Sequence, residues 1–466
     1  MGTRAAWLGM VAVALLSGRT PLAAQDLETE RRALRSRFGG EVEELAGWAQ
    51  EHRLYLQRDL LYAALLALEP EHAEARRFLR YRRTRAGWEQ QKYSPPQDRA
   101  TEFLAEYGAR RAALENEWCA ALNGLAERYA AQGGERGAWL YDDLLILAPD
   151  NAQARSRRRE VQAEEGWILE ETSAGRARRA HLQDRAAELR GLQPAFGGSR
   201  QAVDALAGWR EVRLPVARVV AADLNAEALG ILALAQGAAG LFREVFDEAP
   251  ILPEDLTVYV LDAPSTRREF LARRGDALVR SLAEAHDSLW LPRSSTLVLC
   301  GASAEIRRDH AVRQLVQRML RDSYGIGIDA AWALEGFSLR LGELLTGSTE
   351  LARNTGTPID AGGKKGASPW REARALLAAE PHPRLARLFG VRTQDLTRED
   401  VLLSYAFACY LIEAQPGKLA RVLDAIGHDA AGEGAPDVGA ILEQELGLGP
   451  DALDARLARW AAEMGE

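Results

Sequence analysis

Cysteine is scarce in this chain: Cys119, Cys300 and Cys409 are the only three among 466 residues. They lie far apart, each in an apolar context, and no CxxC pair occurs. That pattern fits buried free thiols and argues against both a disulfide framework and zinc held by cysteine. Lysine is almost as rare, with only Lys92, Lys364, Lys365 and Lys418, so arginine supplies nearly all of the 59 basic residues. The arginines alternate with acids in helical patterns, and the net charge of −8 is spread along the chain. No long basic stripe with interleaved aromatics exists, so a solvated helix surface is expected and a nucleic-acid partner is not. A Gly-x-Ser-x-Gly elbow is missing, and Ser338 and Ser404 lie in helical patterns without evident partners. The stretch AGGKKG at 361–366 lacks the leading glycine and the strand-to-helix context of a phosphate loop, and reads as a flexible basic tip.

What is present begins with an apolar segment. Arg4 is followed by AAWLGMVAVALLS, and PLAAQ ends the run with small residues, so residues 1–24 are expected to be a signal peptide cleaved after Ala24. Arg19 interrupts the run short of the roughly 20 residues a membrane span needs. No cysteine follows it, so no lipid anchor and no membrane anchor after cleavage are expected. The expected location is periplasmic or secreted.

From about residue 26 to 190 the text reads as almost entirely helical, and it contains a repeat. LYAALLALEPEHAEARRFLRYRRTRAGW (61–88) resembles LYDDLLILAPDNAQARSRRREVQAEEGW (140–167). Pro70 and Pro149 correspond, a period of 149 − 70 = 79, and each is followed 18 residues later by Trp88 or Trp167. A helix should end before each proline and a second helix should pack back on it through its Ala-Arg pair. This resembles the tetratricopeptide class, although the period far exceeds the usual ~34 residues. Such surfaces often bind partners; two helical hairpins that merely pack together fit equally well. Residues 25–195 are therefore expected to form a helical repeat-like domain, closed by the linker LQPAFGGSRQ (192–201).

After the linker the pattern changes. A strand is expected at 216–223, a long helix at 225–247, a second strand at 256–262, a helix from STRREFLARR, and a hairpin from DSLWLP and TLVLCG. Next comes the amphipathic helix RRDHAVRQLVQRML (307–320), then AAWALEGFSLRLGE (330–343) and further helices. The Gly- and Thr-rich stretch 346–370 has no period and reads as a surface loop.

This order of elements, with Trp332, Glu335 and Gly336 in WALEGFS, resembles the catalytic domain of the gluzincin peptidases, the peptidase MA-like group, over 205–466. YAFACYLIE (405–413) and the closing LGLGPDALDARLARWAAE also look like that family's tail. The fold class implied is mainly α: a helical repeat-like domain, then an α+β zincin-like domain with a small mixed sheet and a helical C-terminal part. A catalytic zinc takes three protein ligands and leaves one position for water. Histidines at i and i+4 share a helix face, and a glutamate beside the first acts as general base. On this resemblance His310 falls in the first ligand slot, Ala311 in that of the base, Gln314 in the second ligand slot and Glu335, 21 residues on, in the third. The motif reads HAVRQ. Alanine carries no proton and an amide oxygen is a poor zinc ligand, so the slots read as vestigial; none of the seven histidines offers another HExxH. No catalytic residue, no cofactor and no metal are expected; a metal, if held at all, would fall to His310 and Glu335, with Asp309 or Asp322 as substitutes. Tyr405 and Tyr410 stand near positions where such folds place an oxyanion donor, and fit core packing as well.

The expectation is an exported, non-catalytic peptidase-like pseudoenzyme that binds a peptide or protein segment against the 288–299 hairpin, with a helical interaction module. The alternative is an active zinc-dependent metallopeptidase with an unorthodox ligand set. A third reading makes the helical module the functional part and the second domain a spacer.

Overall fold

The computed structural model describes residues 21–85, 87–131, 137–191, 201–202, 209–274, 280, 286–291, 294–347, 368–379, 385–430 and 437–465. The expected signal segment, apart from 21–24, lies outside these residues, as do AGGKKG and most of the 346–370 stretch. The described chain is mainly helical with small sheets. Its contacts divide it into two units, Met1–Leu169 and Glu170–Glu466.

In the first unit, α1 (Pro21–Glu51), α2 (Tyr55–Leu68) and α4 (Leu104–Ala131) enclose a core in which Phe38 stacks on Trp118, with Leu65, Leu122, Tyr141 and Leu144 fully buried around them. The repeat is realised twice in matching detail. The first copy runs through α3 (Ala73–Phe78), β1 (Tyr81–Thr84) and β2 (Gly87–Gln90). The second follows α5 (Asp142–Leu147) with α6 (Ala152–Arg157), β3 (Glu160–Ala163) and β4 (Gly166–Leu169). His72 caps α3 by accepting from the Ala75 amide, and Asn151 caps α6 by accepting from the Ala154 amide. Arg76 Nε donates to the Pro70 carbonyl at 2.6 Å, and Arg155 Nε to that of Pro149 at 2.7 Å. Two residues past each short helix stands an arginine in the left-handed region, Arg80 at φ 58° and Arg159 at φ 57°. Each hairpin then turns at a glycine, and its tryptophan reaches back to the proline turn: Trp88 Nε1 to Glu71 at 3.3 Å, Trp167 Nε1 to Asp150 at 3.0 Å. The two hairpins are absent from the helical reading. All four strands are four residues long; β1 and β2 are polar and largely exposed, whereas β4 buries Ile168 and Leu169.

The second unit begins earlier than the linker. Helix α7 (Glu170–Gly191), which the sequence reading placed in the first domain, packs on helices of the second unit. Its anchors are polar: Glu171 accepts from Arg456 Nε at 2.6 Å, Thr172 donates to Glu463 at 2.8 Å, and Arg179 donates to Glu413 at 2.9 Å. A six-stranded mixed sheet follows: β5 (Gln201–Ala202), β6 (Arg210–Arg213), β7 (Arg218–Ala221), β8 (Thr257–Val260), β9 (Ser288–Trp290) and β10 (Thr296–Leu299), ordered β5-β6-β7-β8-β10-β9. The pairs β7–β8 and β8–β10 are parallel and their strands are nearly continuous apolar runs, as strands covered on both faces require. Helices α8 (Ala226–Phe246) and α9 (Pro264–Arg274) cross between strands. Helix α10 (Ala304–Tyr324) and helix α11 (Ala331–Thr346) carry the residues of interest. Then come α12 (Pro369–Ala378), α13 (Arg398–Ala414), α14 (Pro416–Ala430), α15 (Val438–Leu446) and α16 (Pro450–Met464).

The glycines that open β2 and β4 give a direct test of the repeat. Gly87 and Gly166 sit at φ 124° and 122°, a region closed to residues with a Cβ, and an added Cβ would otherwise meet nothing within 4 Å. Gly87→Ala and Gly166→Ala are each expected to destabilise the first unit by about 1–3 kcal/mol, through backbone strain alone. Chemical denaturation of the two variants measures it, and Gly40→Ala, also in open space but with no positive φ, is the control expected to cost nothing.

Candidate functional site

Helix α10 starts where Ser303 accepts from the Ile306 amide and stops at Gly325, φ 70°. Its apolar stripe, Ala311, Leu315, Met319 and Leu320, is fully buried. At its start Arg307 makes a bidentate pair with Glu227 on α8, at 2.6 and 2.8 Å, and donates to the Gly301 carbonyl. Helix α11 lies against α10 and ends on Gly347, φ 75°.

The three side chains singled out from sequence are all buried, His310 to 2%, Gln314 to 6% and Glu335 to 1% of full exposure. They do not share one set of contacts. His310 Nδ1 and the Ser288 hydroxyl are 2.8 Å apart, and Gln314 Nε2 donates to the same hydroxyl at 3.1 Å. Positions i and i+4 of α10 thus meet one serine on β9. Glu335 instead accepts from Arg313 Nη2 at 2.8 Å, and Arg313 is itself fully buried. Ala311, in the slot of the general base, is packed in the core. Of the substitutes, Asp309 faces Arg313 Nη1 at 3.7 Å, and Asp322 pairs with Arg318 on its own helix at 2.6 Å. Among the described residues no group of three or more His, Cys, Asp and Glu side chains is placed to hold a metal ion.

Arg313 and Ser288 are the residues that sequence reasoning passed over. Arg313 carried little signal: its neighbours three and four positions away, Asp309, His310, Val316 and Gln317, are mostly polar, so spacing alone reads as a solvated arginine. Ser288 carried none, because only strand pairing brings β9 beside α10.

The remaining motif residues have packing roles. Trp332 is fully buried among Phe337, Phe389 and Phe407. A Cβ at Gly336 would stand 2.3 Å from the Ser404 carbonyl oxygen and 3.1 Å from Ala408 Cβ, so only glycine lets α11 approach α13 this closely. Ser338 accepts from Gln317 and donates to the Glu335 carbonyl; Ser404 donates to the Asp400 carbonyl. Tyr405 bonds to Glu343, and Tyr410 to Glu171 and Gln415; both tyrosines are buried and their partners half-buried. The three cysteines are free and buried, and burial pushes the Cys300 thiol up to about 11.

Compared with protein-family models, curated proteins and solved structures, the chain matches none.

Burial first, and the Arg313 guanidinium second, push the pKa of His310 down to about 3. The imidazole is therefore neutral in the fold, and an unfolded chain takes the proton near pH 6.5. Between those values the unfolded state binds more protons, so stability falls as pH falls from about 6.5 toward 3, by up to ~1.4 kcal/mol per pH unit from this one group. His310→Gln, which keeps a hydrogen-bonding partner for Ser288, should flatten that part of the profile relative to wild type. Urea midpoints from pH 7 to 4 measure it; parallel profiles for the two proteins would show that His310 titrates normally.

Proposed function

We propose that the second unit is a peptidase-like domain without hydrolytic activity, which binds an extended peptide or protein segment along the outer edge of β9, which no described strand pairs, with the helical first unit as an interaction module in an exported protein. One observation carries this reading: each ligand slot implied by the gluzincin resemblance already has a protein partner. Glu335 has Arg313, while His310 and Gln314 have Ser288. A buried carboxylate needs a cation nearby, and a guanidinium supplies one permanently. It offers no open coordination position and activates no water.

The edge supports the binding half. In the sheet order β9 is terminal, with β10 on its inner side. The amides of Leu291 and Cys300 donate to Thr296 and Asp287 across the β9–β10 ladder. By the alternation of an antiparallel pair, residues 287, 289 and 291 then face β10, and the backbone groups of Ser288 and Trp290 face outward. Strand addition needs only such outward groups. Trp290, with the Arg318 guanidinium 5.4 Å above its ring, supplies a side-chain contact beside them.

Metal content tests the non-catalytic half. After dialysis the wild type is expected to hold no zinc. Gln314→His is expected to hold none either, because Glu335 stays with Arg313. Zinc should appear when Arg313→Leu is combined with Gln314→His, since a His, His, Glu set is then unencumbered, and Ala311→Glu would add the general base. Stoichiometric zinc in wild type would overturn this and favour the active metallopeptidase.

Peptide selection from a random extended library tests the binding half. Selected peptides should lose about tenfold or more in affinity for Trp290→Pro, which removes one outward amide, worth ~1.4 kcal/mol, but no ladder bond. Unchanged binding would move the site off β9.

A further inference from the structure

A second candidate site lies on the opposite side of α10. Arg308 and His310 are two positions apart, roughly 200° around the helix, so Arg308 points away from the buried cluster. There, α7, α8, α10 and α11 enclose a cavity of about 450 Å³, within the range of small-molecule sites. Its floor is apolar and smooth: Gly230, Ala233 and Leu234 of α8 with Leu345 of α11. Beside it is a second, polar cavity of about 320 Å³, reached by Arg340, Glu343 and Gln183. Arg190 lines both, and Leu344 and Leu345 pass from one to the other.

Two observations bear on the occupant. Helix α8 is apolar and long enough by composition to cross a membrane, yet only half of its most apolar window is buried. Part of the uncovered remainder is this floor, where a Cβ on Gly230 would meet nothing within 4 Å. The charge beside the floor is net positive: Arg190 and Arg308 are exposed and face it, against the single carboxylate of Glu305. In the polar cavity Arg340 is 5% exposed and already paired with Glu343 and Glu413, each at 2.6 Å, so its charge is taken up by them.

We propose that this groove binds an anionic amphiphile, a long-chain carboxylate whose alkyl chain lies on the Gly230–Leu234 floor and whose headgroup is held by Arg190. Apolar burial supplies affinity from the chain. The fork of Arg190 matches a carboxylate in bidentate geometry. Neither contact involves His310, Arg313 or Glu335, so the inference stands apart from the peptidase-like reading.

Isothermal titration of the full chain with decanoate tests it, with decyltrimethylammonium as a probe of equal chain length and opposite charge. Decanoate is expected to bind at one site and the cation at least tenfold more weakly. Gly230→Leu, which fills the floor while improving helix propensity, should abolish binding with no fall in melting temperature; Ala233→Trp is the second blocking variant if it does not fold. Arg190→Gln should weaken decanoate about tenfold or more, the worth of one charge-assisted bond. Absence of decanoate binding, equal affinity for the two probes, or binding unaltered in both blocking variants would overturn the proposal.

Discussion

The carboxylate of Glu335 is the constraint from which the rest of the site follows. It is 1% exposed on a helix packed among other helices, so it must have a positive partner or lose its charge. A metal ion is one solution and a guanidinium is another; here Arg313, on the same helix as His310, provides it at 2.8 Å. Once that pair exists, His310 and Gln314 have no charge to serve and must satisfy their polar atoms locally. They do so on one hydroxyl of the edge strand, which ties β9 to α10. A buried pair of this kind adds little net stability, because both ions lose hydration. Removing one partner, however, strands the other and costs about 3–5 kcal/mol. The pair is therefore hard to convert stepwise into a metal site.

Helix α11 distributes this logic to its other neighbours. Five residues after Glu335, Arg340 donates to Glu413 of α13 at 2.6 Å, and Glu413 also accepts from Arg179 of α7. One carboxylate with two arginines thus fixes three helices, and it explains why α7 folds with the second unit although its composition continues that of the first. Between these charged nodes Gly336 spares a Cβ that would hold α11 away from the Ser404 carbonyl. The resemblance to WxxEG is thus matched here by three separate packing demands: a tryptophan for volume, a glutamate for an arginine and a glycine for clearance.

Elements with a strong period were legible. The strands at 218–221 and 257–260, the helix at 226–246 and the 288–299 hairpin fall within their expected ranges, and the motif helix spans its expected 307–320 and extends beyond it to Ala304–Tyr324. Short hairpins were not. The strands of β1–β2 and β3–β4 are four residues each, too short to show a period, and their visible trace was the tryptophan 18 residues after each proline, whose indole closes on the turn. At the site, the sequence singled out three positions of α10 and α11 that are buried, while their pairings depend on contacts no spacing rule contains. Gln314 was readable as a poor ligand; that Arg313 takes Glu335 was not readable, because its helix-face neighbours Asp309, His310 and Gln317 are polar and mark no buried arginine.

The two faces of α10 differ in what they can do because of how the helix is held. Arg307 clamps its first turn to α8 through two bonds to Glu227, and Arg313 ties its middle to α11. Those two ties fix the walls of the groove beside Arg308 before any ligand arrives, so an occupant would owe little to ordering the protein. They also limit communication between the faces. A signal from the groove to the edge strand would have to move α10 as a body, and the buried pairs on its other side resist small displacements, since packed interiors deform little before they switch. Binding at the groove and binding at β9 should therefore be energetically independent, with each ligand's affinity unchanged by saturation with the other. Measured coupling between decanoate and a selected peptide would mean that the Arg313–Glu335 tie has a second arrangement.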